Sequence, residues 1–186
     1  MQFCSRCGHT VSFRVPDGDN LPRFVCDNCN TIHYQNPRII AGCIPEWDNR
    51  LLLCKRAIEP RHGLWTLPAG FMENGETTQQ AAMRETLEEA SAEVLQASLF
   101  CIFSIPHISQ VYMMFRGQVK NGIAHPGVES LEVDYYHETD IPWDQLAFPV
   151  IRETLKLYYQ DKKAGKFRTH TGDIIRNGSD ILVIYP

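Results

Sequence analysis

Residues 70–92 read GFMENGETTQQAAMRETLEEASA, and this stretch decides the fold. It opens as a loop with Gly70 and Gly75 and turns helical near Thr77. Thr77 followed by Gln80 has the spacing of a capping box, in which hydroxyl and amide side chains satisfy each other's free backbone N–H groups. Arg84, Glu85, Glu88 and Glu89 come next on the helix. Positions i, i+3 and i+4 share a face, so the three carboxylates point one way. The Glu85/Glu89 like-charge pair costs roughly 0.2–0.5 kcal/mol, and it sits past the helix N-terminus, where the macrodipole would have favoured it more. A cluster of mutually repelling hard oxygen donors is explained if a divalent cation binds between them. The bland alternative is a solvated acidic helix.

Gly70, Glu76, Arg84, Glu85, Glu88 and Glu89 fall at the offsets of the pattern G-x5-E-x7-R-E-U-x-E-E-x-G-U, where U is aliphatic. With each residue type at roughly 7% of composition, chance agreement at six fixed positions is about one in ten million per window, which disfavours the bland alternative. The stretch resembles the Nudix box. The resemblance implies that Glu85, Glu88, Glu89 and the Gly70 carbonyl hold Mg²⁺ or Mn²⁺, with Glu85 also a candidate for activating water. It further implies that Glu76 and Arg84 brace loop against helix. Ala92 suits the last aliphatic position and Thr86 is a weak match to the first. Ser91 departs, standing where the box has glycine. A left-handed residue is often needed there, at a cost of roughly 1 kcal/mol for serine, so altered loop geometry without loss of activity is the expectation.

The N-terminal segment carries Cys4-x-x-Cys7 and Cys26-x-x-Cys29. Two such knuckles match a four-cysteine zinc site, and Gly8 and Asn30 after them suit tight turns. Between the knuckles, Val11–Val15 and Arg23–Val25 read as a hairpin around Pro16–Asn20. So short a segment cannot build a core alone, and a structural Zn²⁺ would supply its folding energy. Disulfides or free core cysteines are the alternatives. His9 and His33 read as ordinary polar residues, since four thiolates already fill the shell. Arg6, Arg14 and Arg23 are offset by Asp17, Asp19 and Asp27, with no aromatic-basic interleaving, so a nucleic-acid partner is not expected.

Downstream, Arg38–Pro45 and Leu51–Arg56 read as strands joined by a turn at 46–49, and Val94–Ser104, Val111–Lys120 and Leu131–His137 as three more. Phe148–Lys163 reads as a helix with Pro149 near N1 and Ile151, Leu155 and Tyr158 on one stripe. Strands around the acidic helix and then a second long helix indicate an α/β layered domain, consistent with the Nudix-type mixed sheet sandwiched between helices. The resulting organisation is a zinc ribbon over 1–35, a Nudix domain over 36–163 and a polar C-terminal tail over 164–186. The closing ILVIYP is either an added strand or a disordered end.

Lys55 and Arg56 end an otherwise apolar strand, so one of them faces an anionic substrate or the strand end simply reaches water. Arg56 and Trp65 are candidate substrate contacts. Phe71, Phe103 and Tyr112 are further candidates for ring stacking, although core packing is the better reading for any single ring. The loop 126–132 offers Glu129 and Glu132 as the general base; Glu129, at the loop end, is the catalytic candidate.

The composition, 44% apolar and 22% charged with a net charge of −4, is that of an ordinary globular chain with no basic field toward nucleic acid or anionic membrane. No apolar run approaches 18 residues, and MQFCSRCG is not a signal segment, so the cytoplasm is the default compartment. The segments CSRCG, CDNCNTIHYQNP, LLLCKRAIEPRHGLWTLPAGF, PGVESLE and IPWDQLAF resemble the ADP-ribose/FAD pyrophosphatase branch of Nudix hydrolases. That resemblance implies hydrolysis of a nucleotide diphosphate linkage with release of AMP, and homodimerisation, which is common among such domains. The four-cysteine ribbon is also similar to that of NADH pyrophosphatases, but Ser109-Gln110 is followed by Val-Tyr-Met rather than completing their SQPWPFP-like motif. NADH or nucleoside triphosphate cleavage, or a non-hydrolysing nucleotide-sensing regulator, are the alternatives.

Overall fold

The computed structural model describes residues 1–178 and 180–185. Backbone contacts divide the chain into Met1–Pro37 and Arg38–Pro186. In the first unit, β1 (Val11–Arg14), β2 (Arg23–Cys26) and β3 (Ile32–His33) form a small antiparallel sheet in the order β1-β2-β3.

The second unit is built on a mixed sheet with nine strands among the described residues. β4 (Arg38–Trp47) and β5 (Arg50–Arg56) turn through Asp48 and Asn49, both at positive φ, as a two-residue hairpin favours. Two short strands come next, β6 (Trp65–Thr66) and β7 (Ala69–Phe71), then α1 (Thr78–Ala90), β8 (Val94–Ile105) and β9 (Gln110–Val119). The remainder is β10 (Ser130–Tyr136), α2 (Pro149–Ala164), β11 (His170–Asn177) and β12 (Asp180–Ile184). The strand order is β10-β5-β4-β9-β8-β11-β12, with β6 on β5 and β7 on β4. β4 runs parallel to β9 and β11 parallel to β8.

Strand alternation sends neighbouring residues to opposite faces. Ile40 and Ile44 of β4 and Leu51 and Leu53 of β5 pack with Ile151, Leu155 and Tyr158 of α2. Ala41, Cys43, Leu52 and Cys54 pack with Ala81, Ala82 and Ala90 of α1. Each fully buried leucine or isoleucine contributes about 1.5–3 kcal/mol, so the sheet is clamped from both sides. The small alanines let α1 approach closely. Thr86 occupies its aliphatic position by donating its hydroxyl to the Ala82 carbonyl at 2.8 Å while wholly buried.

Within the expected tail, His170–Asn177 (β11) and Asp180–Ile184 (β12) instead extend the sheet beyond β8. Of the ILVIYP ending, Ile181–Ile184 belong to β12 and Pro186 lies outside the described residues. His170 starts β11 by placing Nε2 2.9 Å from Asp161 Oδ2 of α2, both groups buried. Gly172 fits because a Cβ there would come within 2.8 Å of the Phe103 ring.

Candidate active site and thiol centre

In the N-terminal unit the four knuckle thiols have converged. All four Sγ atoms lie within 4.8 Å of one another, with Cys4–Cys29 at 3.7 Å and Cys7–Cys26 at 3.4 Å. None is in a disulfide, and these separations far exceed the ~2.05 Å of an S–S bond. Zn–S bonds of about 2.3 Å in a tetrahedron put sulfurs about 3.8 Å apart, so the set fits zinc. The knuckles close as their residues demand. Gly8 and Asn30 take positive φ, and their amides donate to the Cys4 and Cys26 carbonyls, each at 2.9 Å. Hydrogen bonding to the Thr31 hydroxyl and backbone pulls the Cys29 thiol down, whereas burial and its thiol contacts with Cys7 and Cys29 push Cys26 up.

In the second unit, α1 starts as its sequence specifies. Thr77 caps Gln80 N–H at 3.2 Å and Gln80 Oε1 accepts from Thr77 N–H at 2.8 Å. Arg84 organises the acidic side chains around it. Its Nε and Nη2 donate to the two Glu76 oxygens at 3.0 and 2.8 Å, a bidentate pair. Nη1 donates to Glu85 at 2.8 Å and to Glu88 at 3.0 Å, and Nη2 also reaches the Phe71 carbonyl at 3.2 Å. Arg84 pulls the Glu76 carboxyl down to about 2. Burial raises Glu85, and burial together with the neighbouring Glu85 charge raises Glu89 to about 8. Raised carboxylates crowded on one face are what a cation would relieve.

Gly70 on β7 faces this cluster. A Cβ there would lie 2.3 Å from Glu85 Oε1, so only glycine admits the carboxylate against the backbone. Ser91 ends α1 in the left-handed region at φ 48°, ψ 28°, with its amide on the Leu87 carbonyl. The expected change in loop geometry is therefore corrected: serine adopts the conformation the box glycine would take. The last carbonyls of α1 are met by the next loop. His125 N–H donates to Ala90 at 2.8 Å and Gly127 N–H to Glu89 at 2.9 Å. A Cβ on Gly127 would lie 1.7 Å from the Glu88 carbonyl oxygen. This docking carries Glu129 to the carboxylate cleft.

The cleft, of about 1480 Å³, is lined at this end by Gly70, Glu85, Glu88, Glu89, Glu129 and Arg56. The strand-end choice between Lys55 and Arg56 is resolved by alternation. Arg56 turns to the cleft, with Nε on the Pro60 carbonyl at 2.9 Å and its guanidinium 5.2 Å from the Phe148 ring centroid. Lys55 pairs with Glu132 at 2.8 Å, which leaves Glu129 rather than Glu132 at the cleft. Trp65 is corrected: it is 6% exposed and packs edge-on against Tyr136 in the core, not in the cleft. Phe103 is core as well, whereas Phe71 and Tyr112 line the cleft. Sequence reasoning did not single out Arg38, whose guanidinium lies 4.6 Å from the Phe71 ring centroid at the cleft. It also passed over Gly127; a glycine between Pro126 and the acidic loop end was the signal that could have found it.

Residues 36–158 match the family described as NUDIX domain, and residues 2–35 match the zinc-ribbon family described as Nudix N-terminal. The chain belongs to the NUDIX family. A NUDIX hydrolase structure from Nitrosomonas europaea is 55% identical, covers 95% of this chain and 100% of its own, and superposes with a TM-score of 0.91. An NAD-capped RNA hydrolase NudC of Vibrio atlanticus is 32% identical over 76% of this chain and 51% of its own length. An ADP-ribose pyrophosphatase of Methanocaldococcus jannaschii is 32% identical over 62% of this chain and 69% of its own. The chain spans about half the length of the NudC relatives it matches. Among the described residues, no helix is long and apolar enough to cross a membrane.

Proposed function

We propose that this NUDIX protein hydrolyses the diphosphate linkage of ADP-ribose or FAD, releasing AMP with ribose 5-phosphate or FMN. The observation that carries the reading is the gathering of the box carboxylates, Gly70, Arg56 and Glu129 at one end of a single cleft. Glu85, Glu88, Glu89 and the Gly70 carbonyl are assigned as the oxygen donors for Mg²⁺ or Mn²⁺. When bound, that cation neutralises phosphate oxygens and lowers the pKa of water. Arg56 pairs with a phosphate oxygen and holds the diphosphate in place. Glu129 accepts a proton from the attacking water as its oxygen bonds to phosphorus and the bridging P–O bond breaks. Glu76 and Arg84 hold the loop so that Gly70 and Glu85 keep their contact. The N-terminal thiols hold a structural Zn²⁺.

A second reading, cleavage of an NAD-type dinucleotide, is favoured by the NudC relatives. Incubation with ADP-ribose, FAD, NADH and dGTP in Mg²⁺ or Mn²⁺, with products separated by chromatography, tests both. AMP is expected from ADP-ribose or FAD. AMP from NADH alone would favour the second reading, and no AMP from any dinucleotide would refute both.

A further inference from the structure

The cleft does not end at the carboxylates. It continues along one end of the sheet, and each strand in turn contributes to it. Arg38 and Ile40 come from the start of β4, Gln110 and Tyr112 from the start of β9, and Ile105 from the end of β8. These positions are aligned by register: Arg38 pairs with Gln110, which pairs with Ile105, and Ile40 pairs with Tyr112. The wall is completed by Ile174, Arg176 and Ile181 of the β11–β12 hairpin. From Gly70 on β7 the path crosses β4, β9 and β8 to reach β11.

The hairpin residues share a face for a reason that the register fixes. Ile174 and Arg176 are two apart on β11, and Ile181 lies directly opposite Arg176 on β12, so all three project to the same side. β11 pairs with β8 only as far as Asp173 and Ser104. Beyond that it packs against the 3-10 turn Pro106–Ile108, whose His107 and Ile108 also line the cleft. The hairpin is held at its base. Tyr185 donates its hydroxyl to Glu153 at 3.0 Å and packs on the Phe103 ring, while His170 sits on Asp161. Its far half contributes Ile174, Arg176 and Ile181 to the cleft. All of it lies outside residues 36–158, the segment matched to the NUDIX domain.

We propose that the β11–β12 hairpin forms a ring-binding subsite for the part of the substrate farthest from the carboxylates. Ile181 and Ile108, both exposed, offer apolar surface to a flat heteroaromatic ring over the buried Ile174 and Ile105, and Arg176 offers a cation to its face or to an attached phosphate. The hairpin lies along the sheet from the carboxylates, on the side to which a sugar-linked ring of a bound diphosphate would extend. Adenine and flavin share that chemistry. The subsite thereby deepens the proposed diphosphate hydrolysis and rests on that reading for its place in the reaction.

Binding can be measured without turnover. Calorimetric titration of the intact chain, with neither added divalent metal nor chelator, compares AMP, FMN and ribose 5-phosphate. AMP or FMN is expected to bind about tenfold or more tighter than the ringless sugar phosphate, and whichever does so identifies the ring. Ile181→Ser and Arg176→Ala, both at exposed positions, are each expected to reduce that preference about fivefold, with thermal unfolding midpoints close to the parent's. A parent chain with no preference for the ring, or variants that both keep the full preference, would overturn the subsite. A chain that binds the ring with this variant dependence, yet releases no AMP from any dinucleotide, would support the subsite and refute the hydrolysis. Intact AMP release without ring preference would do the reverse.

Discussion

The chain carries two donor sets of opposite character. The four N-terminal thiols already lie within 4.8 Å of one another, two of them buried. The carboxylates of α1 share a helix face along an open cleft, with Glu85 and Glu88 both hydrogen-bonded to Arg84 Nη1. A closed set of four thiolates leaves no position for substrate, so a metal bound there would act on folding. A set on an open cleft would leave room for phosphate oxygens and water beside a bound metal. Under the proposed assignments, closure separates a structural centre from a chemical one.

The largest expected effect lies on the structural side. Cys26→Ser should lower zinc from one per chain to none and expose 1–37 to limited proteolysis, while the second unit keeps its own unfolding transition. Retained stoichiometric zinc would break the comparison. On the chemical side, Glu129→Gln should lower kcat about 10²-fold or more, as loss of a general base does. Glu132→Gln, which removes only the partner of Lys55, should change kcat less than about twofold. Equal losses would show that the loop, not Glu129, matters. Gly70→Ala should cost about tenfold to a hundredfold in kcat, because its Cβ displaces the Glu85 carboxylate.

The smallest effect is on acid stability. Arg84 lowers the folded Glu76 carboxyl from 4.5 to about 2, so its contribution is fully present above about pH 4.5 and is lost as pH falls through 2. Between pH 5 and 2 the unfolding midpoint of the parent should fall more steeply than that of Glu76→Gln. Parallel curves would remove Glu76 from the brace.

Legibility in the sequence depends on how local the determinants are. The Thr77/Gln80 cap, the carboxylate face and the cysteine spacings depend on near neighbours, and each appears where the spacing puts it. For Trp65 core packing is the better reading from sequence, and its partner Tyr136, far along the chain, decides it. The hairpin at 170–184 was hidden by composition. Its inward positions at the start of β11 are His170 and Gly172, and neither reads as core. His170 is buried because Asp161 meets it, and Gly172 because Phe103 fills its space. Only then does the alternation reaching Ile174 become visible. Ser91 presents the converse case: its residue type argued against a conformation that the surrounding packing imposes.

The most direct test of the central claim joins metal binding to chemistry. Mn²⁺ binding monitored by electron paramagnetic resonance, with AMP release from ADP-ribose and FAD in the same samples, should be compared for the parent and Glu89→Gln. The account predicts that the parent binds Mn²⁺ at α1 and releases AMP, and that Glu89→Gln loses about 100-fold or more in AMP release with weakened Mn²⁺ binding and an unchanged fold. Full metal-dependent AMP release by Glu89→Gln would contradict it.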